Sequence, residues 1–226
     1  SGLLVILAIP ISLKGNIYIA HISTIAVLYA IAGLGLNFQI GSTDMTNFAP
    51  AAFMGLGAYS VGVATSKFGL SPWVGLLAGI VITGFFGFLV GLVTMAIQIA
   101  FTQLMNTVRY VGGSDGMSGL TKYSLFGFDL YKRYTFFGIR FAPQVPFLIV
   151  CVLFLVVFAY ISMRVYHVKY GLSLNAIAQD EIAANCLGIN ISRQKLFAFV
   201  IGSIFCGVAG SLMVGLEGYV GPKSYD

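Results

Sequence analysis

Five long apolar runs set out the chain, at 17–40, 50–66, 73–97, 145–163 and 196–216. Each is close to the roughly 20 residues that an α-helix needs to cross a hydrocarbon core of ~30 Å. Two shorter runs accompany them, at 3–13 and 98–110. The first is too short to span and no basic stretch precedes it, so a signal peptide is not expected. The simplest reading is a chain that starts partway through a first helix. The run 98–110 carries Gln98, Thr102, Gln103 and Asn106, and reads as a short or interrupted helix. The pattern predicts an all-α, polytopic helical membrane protein with about six membrane segments. It forms one transmembrane domain over 1–226 and is expected to be a portion of a longer chain, cut at both ends.

The main polar interruption is RVYHVKYGLSLNAIAQDEIAANCLGINISRQK, residues 164–195. Its punctuation predicts two short helices. Ser173 is placed to cap 174–179, and Asp180 to cap 181–187, because each side-chain oxygen can accept an orphan backbone N–H. Gly188 then ends the second helix in the left-handed conformation, and Ser192 caps the next span. Asp180 and Glu181 are adjacent and cannot share a helix face. Glu181 sits in the first turn, where it favours the helix dipole and points outward. The segment is either a plain connector or a helical loop that docks on a partner.

The remaining breaks are sharper. Gly41 ends the run 17–40. Asp44 follows, and the Ala49-Pro50 pair disfavours helix before the proline, so a turn leads into a helix from about 50 to 66. Ser71-Pro72-Trp73 opens the next span, with Trp73 suited to the membrane interface. That span has a small residue at every fourth position: Gly75, Gly79, Thr83, Gly87 and Gly91. Ala198, Gly202, Cys206 and Gly210 repeat the spacing in the last span. Such stripes let helices approach closely and identify no chemistry. The glycine-rich stretch 112–120, GGSDGMSGL, lacks the Gly-Lys-Ser/Thr ending of a phosphate-binding loop and reads as turn chemistry. Residues 121–143 form a hydrophilic loop with aromatics.

Composition narrows the class. The chain is 58% hydrophobic and 8% charged, with mean hydropathy +0.95. Soluble domains carry about 25% charge. The net charge of +5 fits Lys and Arg in loops near anionic headgroups, and no basic stripe with stacking aromatics points to nucleic acid. Cys151, Cys186 and Cys206 have no disulfide or zinc spacing, and His21 and His167 are far apart; no metal site is expected. Arg109, Lys122, Lys132, Arg133 and Arg140 lie before the span 145–163, while Arg164, Lys169, Arg193 and Lys195 lie after it. Counting positive charge therefore does not orient the chain. No catalytic constellation appears, so a membrane enzyme is disfavoured. Polar side chains within spans are the candidate substrate pathway: Asn37, Asn47, Tyr59, Thr102, Gln103 and Asn106. A buried amide in lipid must find a partner, and Thr102 and Asn106 share a face at four-residue spacing.

The run YGLSLNAIAQDEIAANCLGINISRQKLFAF resembles the cytoplasmic loop of the branched-chain amino acid ABC permeases, LivM type. The matching residues are Gly171, Ala176, Ile177, Asp180, Glu181, Ile182, Ala183, Ala184, Leu187, Gly188, Ile189 and Asn190. A second stretch resembles the same family at Gly35, Leu36, Asn37, Gly41, Phe48, Ala51, Ala52, Phe53, Gly55, Gly57, Ala58 and Tyr59. The resemblance covers nearly all of the chain. It implies that 164–195 is a cytoplasmic coupling loop seated in a cleft of an ATPase subunit, and that 111–143 is external. It further implies a multi-pass protein of the bacterial inner membrane. Its partners would be a second homologous permease subunit, two cytoplasmic ATPase subunits, a periplasmic substrate-binding protein and membrane lipid. No cofactor binds this chain; ATP and Mg would sit on the ATPase subunits. The implied substrates are branched-chain or other small apolar amino acids. Urea and short-amide permeases share much of the pattern. The chain departs from the family at Pro50, where a Gln or His is usual, and at Leu172, Asn175 and Ala178, where basic residues are usual. Docking at the loop should therefore rest on shape and apolar contact. A self-contained secondary transporter or channel is the competing class. It needs intramembrane ionisable groups, and Asp44, Glu217 and His21 all lie near span ends.

Overall fold

The structure, a computed structural model, describes residues 17–41, 50–90 and 143–221, with 117–121, 123–125, 128–130, 135–136 and 139–140. Seven α-helices occur among them. They are α1 (Ile17–Leu36), α2 (Pro50–Ser66), α3 (Pro72–Val90), α4 (Val145–His167), α5 (Lys169–Gln179), α6 (Glu181–Cys186) and α7 (Ile191–Glu217). A π-turn over Asn37–Gly41 continues α1. Among the described residues, four helices are long and apolar enough to cross a membrane: α1 with its extension, α3, α4 and α7. The 17-residue α2 packs among them.

Small residues place α7 at the centre. In its most apolar stretch 78% of residues are buried inside the chain, against 33% or 39% in the other three spans. Lipid is as apolar as leucine, so close packing rather than flight from water draws such helices together. The stripes expected from the sequence are the surfaces in contact. A Cβ on Gly79 of α3 would lie 2.9 Å from Ser211 Oγ, and one on Gly87 would collide with Ser203 of α7. A Cβ on Gly57 would strike the backbone of Gly207. Opposite this packing, Val74, Leu77, Val81, Phe85 and Phe88 of α3 are exposed. They form the apolar outer surface expected of a span in lipid.

Two polar ends cap the bundle. At one end the short strands β1 (Met117–Ser118) and β6 (Tyr219–Val220) pair antiparallel. Hairpins β2–β3 (Ser124–Leu125, Phe128–Asp129) and β4–β5 (Thr135–Phe136, Ile139–Arg140) belong to the same loop. Tyr123 anchors it: its hydroxyl donates to Ser211 O at 2.9 Å, and its ring lies against Trp73 and Phe147. Burial pushes the Tyr123 phenol up. Trp73 donates from Nε1 to Ser124 O at 2.7 Å, so it is clasped by this loop rather than lying open at the interface. At the other end α5 and α6 join α4 to α7.

Several boundaries differ from the sequence pattern. Span α4 runs to His167 and α7 starts at Ile191, so both ends of 164–195 belong to membrane helices. Helix α5 begins at Lys169, after the extended residue Val168. Ser173 is therefore inside a helix, where its hydroxyl donates to Lys169 O at 2.8 Å. Asn190, not Ser192, caps α7; its Oδ1 accepts from Arg193 N at 3.0 Å. Either residue is a good cap, and the earlier one lengthens the helix by half a turn. The runs 3–13 and 98–110, Asp44 and Gly91 lie outside the described residues.

Candidate functional site

The loop helices form a small preformed platform. Asp180 adopts extended backbone between α5 and α6, and its Oδ1 accepts from Ile182 N at 2.8 Å and Ala183 N at 3.1 Å. Gly188 closes α6 at φ 80°, as its position in the sequence required. Gly171, Leu174 and Ile177 make the buried face of α5, with the three- and six-residue spacing of one helical side. A Cβ on Gly171 would collide with the Tyr166 backbone, so glycine lets α5 fold back tightly against the end of α4. Ala176 is half-buried beside this face. Tyr170 stacks on Phe197 at 4.8 Å, fastening α5 to α7.

Charge fastens α6 as well. Glu181 forms an ion pair with Lys195 of α7. Its carboxylate therefore reaches back to the bundle instead of pointing outward, and does not project toward a partner. Ala184 is 2% exposed and faces the protein itself, whereas Ala183 lies on the exposed side. Ile182 and Leu187 are 79% and 80% exposed, and Leu172 is 66% exposed. A rigid, capped platform with projecting apolar side chains resembles the apolar centre of a protein interface more than a solvated connector. Leu172 was readable only as a departure from a basic position, and Leu187 as one of the residues matching the family's loop.

Of the pathway candidates, Asn37 and Tyr59 lie among the described residues. Asn37 starts the π-turn and is exposed at the same end as α5 and α6. Tyr59 is buried in α2 between the bundle helices. Asn47, Thr102, Gln103 and Asn106 lie outside the described residues. Several buried polar residues of the spans escaped the sequence reading, Gln39 with the longest side chain among them. Gln39 is fully buried and donates from Nε2 to Phe199 O at 3.1 Å. The stretch GLNFQIG shows its amide two residues after Asn37, but nothing local shows its burial.

The fold is that of a multi-pass helical membrane protein carrying a preformed helical loop at one end of its bundle. The chain belongs to the family of branched-chain amino acid transport system permease components, whose model matches residues 18–225. It is 33% identical to the high-affinity branched-chain amino acid transport system permease protein LivM of Salmonella typhimurium, over 90% of this chain and 54% of that protein. Identity to LivM of Escherichia coli is 31%, with the same coverage. A probable branched-chain amino acid transport permease protein LivH of Methanocaldococcus jannaschii is 23% identical, over 82% of this chain and 62% of that protein. The chain spans about half the length of the LivM relatives it matches. No solved structure matches.

Proposed function

We propose that this chain is a membrane-spanning permease subunit of an ATP-driven importer in the bacterial inner membrane, carrying branched-chain or other small apolar amino acids. The observation that carries this reading is the capped platform α5–α6, with Ile182, Leu187 and Leu172 projecting from a loop inside the matched family region. Two ATPase subunits, which bind ATP and Mg, press on this platform from the cytoplasm. A second homologous permease subunit completes the path, and a periplasmic binding protein delivers the substrate. The platform is fastened to α4 through Gly171 and to α7 through Glu181–Lys195 and Tyr170–Phe197. Movement of the platform therefore tilts two spans together. The relatives' names support the substrate class.

The test is reconstitution of the complex that copurifies with the full-length protein. Radiolabelled leucine should accumulate in proteoliposomes only with ATP, Mg and the ATPase subunits present. ATP-independent, proton-driven uptake by the permease alone would instead make it a secondary transporter.

A further inference from the structure

The buried amide of Gln39 sits in the π-turn that continues α1. A π-turn holds one residue more than the α-helical register, and such turns are frequent at functional sites. Here three consecutive residues of the turn, Asn37 to Gln39, meet the two spans to which the platform is fastened. From α7, Phe199 O accepts the Gln39 amide, four residues beyond Lys195, the residue that holds Glu181 of α6. From α4, the Tyr166 hydroxyl donates to Asn37 O at 3.4 Å, and its ring stacks on Phe38 at 5.2 Å. Tyr166 is also the residue whose backbone meets Gly171 of α5. Phe38 lies edge-on to Phe205 of α7 as well.

Just before the turn, α1 is pinned to α7 backbone to backbone. A Cβ on Gly35 would lie 2.6 Å from Gly202 O, and Cys206 Sγ is 3.8 Å from Ala32 O. Rigid contact thus gives way, within four residues, to contact through side chains in a non-α register. That is the arrangement of a joint. Interfaces of this kind move between discrete arrangements rather than bending continuously.

We propose that the π-turn Asn37–Gly41 is the joint that carries platform movement into α1, with Gln39 as the positioning residue that locks α1 to α7 in one of its two arrangements. The inference rests on the proposed ATP-driven function. When the platform shifts, Tyr166 and Phe199 move relative to each other. The Gln39 amide leaves the Phe199 carbonyl, which keeps its place in the α7 helix, and the turn changes register. Without the lock, ATP hydrolysis proceeds without a matching movement of α1.

Two substitutions test it in the reconstituted complex. Gln39→Met keeps the length of the side chain and removes the amide. Tyr166→Phe removes the hydroxyl at a partly exposed position and keeps the stack on Phe38. Leucine transported per ATP hydrolysed should fall about fivefold in Gln39→Met, the equivalent of one hydrogen bond at ~1 kcal/mol, and in the same direction in Tyr166→Phe. Complex yield should match wild type while the ratio falls; a merely structural role would lower the yield and leave the ratio unchanged. An unchanged transport-to-ATP ratio in both variants overturns the proposal. If Gln39→Met does not assemble, the Tyr166→Phe ratio decides alone. A wild-type protein that copurifies with no ATPase fails earlier, and overturns the ATP-driven function together with the joint.

Discussion

Asp180 does one identifiable thing: it accepts two backbone N–H groups at the start of α6. A helix of six residues cannot persist on propensity, since nucleation alone is unfavourable. Asp180→Ala is therefore expected to cost ~0.5–2 kcal/mol locally. Amide hydrogen exchange should rise across 181–186 and stay unchanged in α7. Equal protection in the variant would mean that packing, not the cap, holds α6. The neighbouring alanines separate by burial. Ala184 faces inward, so a large residue there breaks the platform itself. Ala183 faces outward, so bulk there meets only what docks on the platform.

Among the helices, α7 decides whether the bundle forms. Gly87→Leu and Gly79→Leu each force a side chain into α7, at Ser203 and Ser211. Overpacking of this kind costs ~1–3 kcal/mol or more, and lipid offers no compensating burial. Both variants are expected to lower the yield of folded complex. Wild-type yield and transport from both would place the stripe against lipid. These stripes were legible in the sequence because four-residue spacing is a property of the helix alone. The Asp180 cap and the Gly188 stop were legible for the same reason, being settled within three residues. Ser173 and Ser192 misled because serine serves both as a cap and, donating back to the preceding turn, as an interior residue. Three features could not be read from local pattern. The π-turn needs α4 and α7 in place, the burial of Gln39 needs Phe199 opposite it, and the inward turn of Glu181 needs Lys195, fourteen residues on.

The β-paired loop and the α5–α6 platform lie at opposite ends of the bundle. Span α4 enters at one, with Phe147 beside Tyr123, and leaves at the other, with Tyr166 beside Asn37. Opposite ends require opposite faces of the membrane, which charge counting could not assign. The proposed function puts the platform in the cytoplasm. Asn175→Cys, at an exposed position of α5, should then resist an impermeant thiol reagent in right-side-out vesicles and react once the membrane is opened. Reaction in sealed vesicles would invert the topology.

The platform as the seat of an ATPase is tested most directly by Ala183→Trp. The indole projects from an exposed position and leaves the Asp180 cap and the Ala184 packing in place. ATPase copurification and ATP-dependent leucine uptake in proteoliposomes are compared with wild type at low and moderate ionic strength. If the platform seats an ATPase, the variant folds with wild-type stability, yet loses the ATPase or hydrolyses ATP without transport. A moderate rise in salt should weaken wild-type docking less than the indole does, because the projecting side chains Leu172, Ile182 and Leu187 are apolar. Normal copurification and uptake by Ala183→Trp would contradict it and reduce α5 and α6 to a connector.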